Sequence, residues 1–225
     1  EIVLPSSLEY IGDRAFTGYG MIMSERIPIK IPDGVTVIGE RAFADCAPFD
    51  AGFLPASVRE IKDEAFAGSA PKMVSIGPGV RHIGVRAFSG KALTRIDVDE
   101  DNTMYASDNG VLYSKDKTVL LDCPDKIITA YIIPEGVRRI GDCAFIDHSA
   151  LSDVSLPSSL EDIGNYAFAE CIRLKSADLR PSVQHIGEGA FTGCTNLGEV
   201  IFGETLKTVG DFAFSACQGL TEITI

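Results

Sequence analysis

A six-residue phrase recurs eight times along this chain and restricts what it can fold into more than any other feature. It reads IGDRAF from Ile11, IGERAF from Ile38, IKDEAF from Ile61, IGVRAF from Ile83, IGDCAF from Ile140, IGNYAF from Ile163, IGEGAF from Ile186 and VGDFAF from Val209. The closing phenylalanines stand at 16, 43, 66, 88, 145, 168, 191 and 214, so successive gaps are 22, 23 or 27 residues, with one of 57. A period in the twenties belongs to a chain that coils once per repeat and stacks each coil on the last, since so short a repeat cannot bury its own apolar face.

Each recurring apolar letter has a physical reading. The stretch Leu220, Ile223, Ile225 alternates at its end like a short strand with one buried face. Pro follows such stretches at Pro5, Pro32, Pro55, Pro134 and Pro157, where its missing N–H ends ladder pairing and turns the chain. A second apolar pair, such as Leu160 and Ile163, lines the opposite wall as another brief strand. The glycine after it predicts a tight turn, although Lys62 at the equivalent place shows that a positive φ is not obligatory there. In Ala-Phe the small residue permits close backbone approach. The phenylalanine plugs the interior and stacks on its neighbour at about 4.7–4.9 Å. The letters shared by all copies include no nucleophile, acid or metal ligand, so the phrase is scaffold. Its middle letters, Asp13 and Arg14 in the first copy, read as free surface positions.

The 57-residue gap holds one coil plus an insert at about residues 99–127. Within it GVLYS (110–114) and TVLLD (118–122) flank the polar KDK, which predicts a β-hairpin. The repeat resumes at Ile133, so residues 1–225 read as one continuous domain. The chain starts at Glu1 inside one strand-like stretch and stops at Ile225 inside another, and so reads as an excerpt of a longer protein. With 32 acidic against 20 basic residues, the formal charge of −12 argues against nucleic acid and anionic membrane surfaces as partners. No run of about 18 apolar residues exists to form a membrane-spanning helix.

Cys46, Cys171, Cys194 and Cys217 share one slot, three residues after the plug, and read as a ladder of small, buried, free thiols. Bridges between adjacent coils are conceivable for the last three, but identical side chains in a ladder point the same way. No Cys-x-x-Cys pair exists to suggest zinc. His82 and His185 share a surface slot with no fixed chemistry, and His148 stands alone, so no catalytic residue is assigned. The acidic run 99–102 with Asp108 and Asn109 lacks the order of an EF-hand loop, so no metal or cofactor is assigned.

The string Leu-Pro-Ser-Ser-Leu-x-x-Ile-Gly-x-x-Ala-Phe-x-x-Cys-x-x-Leu, from Leu156 to Leu174, resembles the BspA-type (Treponema-type) leucine-rich repeat. The likeness covers essentially the whole chain, and the Asp-Asn-Gly-Val-Leu-Tyr segment resembles an insert common in that family. The fold expected is a β-rich solenoid: a right-handed leucine-rich repeat superhelix of about 23-residue coils, a concave parallel β-sheet, Phe and Cys ladders inside and one β-hairpin insertion. The resemblance implies a bacterial cell-surface or secreted protein with a role in adhesion or host binding, and no shared catalytic residues.

On such a fold the informative surface is the concave sheet, whose outward residues flank each central strand residue. Its N-terminal half offers Phe53 and Met73, then Arg95 and Asp97, and its C-terminal half offers Asp153, Asp178, Glu199 and Glu222. Contiguous apolar groups on a solvated sheet suggest a partner, and so do carboxylates on adjacent coils, which repel unless a cation neutralises them. The expected function is a monomeric, non-catalytic module that binds a protein or glycan through this face. The alternatives are a calcium-dependent polysaccharide-active enzyme on a solenoid scaffold and a purely structural spacer.

Overall fold

A computed structural model describes residues 2–19, 29–46, 49, 54–90, 92–124, 128–180 and 182–224, and no helix occurs among them. The chain is a β-solenoid whose coils each contribute about 23 residues. It divides into two compact units, Glu1–Lys115 and Asp116–Ile225, with the boundary inside the insert.

Every coil has three walls. In the first unit the first wall pairs Ile2–Val3 with Ile29–Lys30 and Met73–Ile76 with Arg95–Val98, all in parallel. In the second unit it pairs Ala130–Ile132 with Asp153–Ser155, and Ser176–Leu179 with Glu199–Phe202 and then Glu222–Thr224. Proline opens the turn that leaves this wall: the carbonyls of Pro32, Pro55, Pro134 and Pro157 accept from the N–H three residues on, at 3.1–3.3 Å. The second wall is a parallel ladder of two-residue strands, Tyr10–Ile11, Val37–Ile38, Glu60–Ile61 and His82–Ile83 in the first unit. In the second it runs from Val119–Asp122 through Arg139–Ile140, Asp162–Ile163 and His185–Ile186 to Thr208–Val209.

The third wall holds the plug. Phe16, Phe43, Phe66 and Phe88 stack at 5.3–5.7 Å in the first unit, and Phe145, Phe168, Phe191 and Phe214 at 5.1–5.2 Å in the second. These spacings exceed the strand spacing and are typical of offset-stacked rings. The N–H groups of Phe16, Phe43, Phe66, Phe145, Phe168 and Phe191 donate forward to the Ala carbonyl of the next coil, as Phe43 to Ala65 and Phe168 to Ala190. Such forward bonds recur at every second residue, at Arg14, Phe16 and Gly18 in the first coil, and of these the first and third are left-handed.

The left-handed turn does not fall on the glycine. None of the phrase glycines that follow the isoleucine has a positive φ. The left-handed residue is instead the fourth letter, Arg14, Arg41, Glu64, Arg86, Cys143, Tyr166, Gly189 and Phe212, with φ between 52° and 60°. Glycine is present for proximity. A Cβ on Gly84 would lie 2.3 Å from the Asp63 nitrogen, and one on Gly187 would lie 2.6 Å from that of Asn165. The third letter is not free either, since Asp13, Asp63, Asp142 and Asn165 accept the backbone N–H of the next coil through Oδ1 at 2.8–3.1 Å.

The cysteine slot also works differently from an apolar ladder. The thiols of Cys46, Cys171, Cys194 and Cys217 donate to the plug carbonyl of the preceding coil at 2.8–3.1 Å, and Ser69 does the same with its hydroxyl at 2.7 Å. All six cysteines are free, and burial pushes the Cys194 thiol well above its ordinary range. His148 takes this slot in its own coil, buried edge-on against Phe145.

The insert contains a hairpin between Tyr105–Asp108 and Val111–Ser114, turning at Asn109 and Gly110, both with positive φ. Both strings of the hairpin expected from the sequence are strands, Val111–Ser114 and Val119–Asp122, and the Asn109-Gly110 turn ahead of them is an addition to that expectation. Val119–Asp122 joins Arg139–Ile140 in parallel, and the Cys123 N–H takes the plug's forward bond to Ala144. The 57-residue gap therefore contains a coil whose phenylalanine is a cysteine. In the first unit the insert closes the last coil: buried Asn102 bonds the carbonyls of Gly77 and Val80 and the N–H groups of Met104 and Tyr105, and the Tyr105 hydroxyl accepts from the Ile83 N–H.

Candidate functional site

The first wall turns one set of side chains inward and the next outward, so register decides which exposed residues meet. In the first unit Met73 lies opposite Arg95, and Ser75 lies opposite Asp97. Arg95 and Asp97 are two apart on one strand and share a face. The guanidinium grips the carboxylate, Nε lying 2.8 Å from both oxygens and Nη2 2.7 Å from Oδ1. Arg95 is thus held as a cation beside Asp97. Met73 is 39% exposed. The expected apolar partner, Phe53, lies outside the described residues.

In the second unit the carboxylates do not form one column. Glu199 lies opposite Ser176 on one side and Glu222 on the other, whereas Asp178 lies opposite Ile201 in the neighbouring column, and Asp153 lies opposite Ala130. Two of the four carry their own counter-charge. Asp178 is gripped by Arg180, Nε to Oδ1 at 2.8 Å and Nη2 to Oδ2 at 2.5 Å. Asp153 accepts the Ser152 hydroxyl at 2.5 Å and faces the Lys175 ammonium at 3.5 Å.

The acidities follow these contacts. The Arg180 hydrogen bonds hold the Asp178 carboxyl below the usual carboxylate range, and the Ser152 hydroxyl, helped by Lys175, does the same for Asp153. Crowding among like charges would raise both. Glu199 and Glu222 are the pair that register leaves side by side, with Arg180 close enough to feel the Glu199 charge. The sequence reading named Arg95 but not Arg180 or Lys175, although a signal is there for Arg180: it stands two residues after Asp178, the spacing of Arg95 and Asp97 in their strand.

Among the described residues no three His, Cys, Asp or Glu side chains group as metal ligands would. Asn102, from the acidic run of the insert, has its amide fully engaged by backbone groups. His185 is exposed, with Nδ1 2.8 Å from the Thr208 hydroxyl, and His82 is exposed on the same wall.

Stacked coils of this period, with a plug, a thiol slot and a short strand on each wall, define a leucine-rich repeat solenoid. The chain belongs to the BspA-type leucine-rich repeat family, whose repeat region matches in six copies over residues 1–109 and 124–225. Among solved structures it is similar to the pneumococcal vaccine antigen PcpA, with 28% identity and a TM-score of 0.74 over 96% of this chain and 59% of that one. A leucine-rich cell surface protein of Faecalibacterium prausnitzii shares 30% identity with a TM-score of 0.66, covering 86% of this chain and 58% of that one. A leucine-rich repeat protein of Eubacterium ventriosum, 24% identical with a TM-score of 0.72 over 96% of this chain and 70% of its own, shares the fold. The chain thus spans less than two thirds of the first two proteins. No curated protein matches it significantly.

Proposed function

We propose that this chain is a non-catalytic binding module of a bacterial surface or secreted protein, and that it presents the outward side of its first wall to a protein or glycan. One observation carries the reading. The letters that repeat are engaged in coil-to-coil hydrogen bonds and packing, whereas the outward first-wall residues differ from coil to coil and stay accessible: Met73, Arg95 and Asp97 in one unit, Asp153, Asp178 and Glu199 in the other. The kinship with a vaccine antigen and a cell surface protein supports a place outside the cell. The test is capture of soluble partners, from host-protein and glycan arrays, by the wild-type chain and by Met73→Ala and Glu199→Lys variants. A bound partner is expected to be lost or weakened by at least one substitution while the Tm stays within a few degrees. Identical capture by both variants would remove the face from the proposal.

A further inference from the structure

Where the first wall of the first unit turns toward its second wall, a groove of about 370 Å³ opens across three coils. That volume lies in the roughly 300–1,000 Å³ range of ligand pockets. One coil supplies Leu54, Pro55 and Val58, the next Ile76 and Val80, and the third Val98, with Asp97 and Asp99 also in the lining. Half-buried Leu54, Pro55 and Val98 form the accessible apolar part of the floor, over the buried core residues Val58, Ile76 and Val80.

The groove is acidic at one end. Asp97 is neutralised by Arg95, and the Arg59 guanidinium is held by the carbonyls of Ala56 and Val58. The Lys115 ammonium is bonded to the backbone oxygen of Glu100 at 2.9 Å. Beyond these, Asp99, Glu100 and Asp101 are exposed and have no ion-pair partner among the described residues. The Asp101 N–H donates to Asp99 Oδ1 at 2.9 Å and so fixes that carboxylate beside the groove. Among the described residues no aromatic ring lines the floor.

We infer that this groove receives an apolar side chain of an extended partner polypeptide whose adjoining Lys or Arg meets Asp99, Glu100 and Asp101. The inference rests on the binding-module reading and gives it a partner class, a cationic and aliphatic protein segment. An aliphatic floor supplies affinity, and uncompensated carboxylates at its end supply orientation and partner choice.

The isotope-labelled chain is titrated with acetyl-Lys-Leu-Lys-Leu-Lys-Leu-amide, with the same peptide carrying Glu for Lys, and with maltohexaose, and backbone amide shifts are read. The lysine peptide is expected to move Leu54, Ser75 and Val98 saturably while the glutamate peptide does not. Replacing three exposed charges together by Asp99→Asn, Glu100→Gln and Asp101→Asn weakens this binding about five- to tenfold, and Ser75→Trp, which fills the groove mouth, removes it. Tm is read for both variants and is expected to stay at the wild-type value. Shifts scattered over the surface, equal response to both peptides, or saturable binding of maltohexaose at these residues overturns the inference. Failure here leaves the face assignment intact if Glu199→Lys still alters partner capture, and success here leaves it refuted if Met73→Ala and Glu199→Lys do nothing.

Discussion

In the first unit the fourth letter of the repeated phrase is Arg14, Arg41, Glu64 and Arg86. In the second it is Cys143, Tyr166, Gly189 and Phe212, yet all eight turn through nearly the same positive φ. The charged set is laced by ion pairs, Arg14 to Glu40 at 2.9 Å, Arg41 to Asp45 at 3.6 Å and Arg86 to Glu64 at 3.8 Å. In the apolar set the Tyr166 ring fills the space a Cβ on Gly189 would need, and Phe212 is 72% exposed. A left-handed non-glycine residue costs about 1–2 kcal/mol, and neither arginine nor phenylalanine favours it. The conformation therefore belongs to the turn and not to the residue that makes it. The side chain is left to choose the surface chemistry.

If the interiors are as alike as the backbones, Phe66→Ala and Phe168→Ala should each cost about 3–5 kcal/mol, the largest effect expected, measured by urea unfolding. A loss below about 1 kcal/mol in either would break the equivalence. Gly187→Ala, whose Cβ would collide with the Asn165 backbone, should cost about 1–3 kcal/mol. Gly12→Ala, with nothing nearer than 3.7 Å, should come close to neutral in the same assay.

The donor slot gives a reciprocal exchange. Ser69→Cys in one unit and Cys194→Ser in the other keep a donor and should be tolerated, whereas Cys194→Ala should cost about 1 kcal/mol. Alanine performing as well as serine would return the slot to simple packing. A pH series sharpens the same point. Burial raises the Cys46, Cys194 and Cys217 thiols above their ordinary value of 9.0. Folding thus favours the neutral thiol, a contribution complete below the unfolded value and lost as pH rises toward the folded one. Melting curves from about pH 8 to about pH 11 should fall less steeply for Cys194→Ser than for wild type. The smallest effect is expected for Phe212→Arg, which carries the first unit's chemistry to the second. It should move stability by no more than about 0.5 kcal/mol, and a larger loss would show that the exposed ring contributes to folding.

The period, the plug, the proline turns and the single interruption were legible because each is a pattern of apolar burial or chain reversal written in adjacent residues. The insert was legible only in part. The two apolar strings of the expected hairpin are strands. Asn109-Gly110 suits a two-residue hairpin turn, but Tyr105–Asp108 ahead of it is too polar a strand to stand out. Val119–Asp122 also serves as a second-wall strand with Arg139–Ile140. The outward residues of the candidate face were legible as positions. Their charge state was not, since Lys175 and Arg180 change what Asp153 and Asp178 present to solvent.

The sequence by itself determined that this chain coils, how long each coil is and which letters fill it, because one buried face per short strand must repeat wherever coils stack. Only the tertiary structure decided why the phrase carries Gly and Asp and why Cys stands three residues beyond it. Those residues answer to backbone groups of the neighbouring coil: Gly187 to the Asn165 nitrogen, Asp142 to the Asn165 N–H and Cys194 to the Phe168 carbonyl. Such partners are 22 to 26 residues away in the chain and meet only once one coil lies on the next.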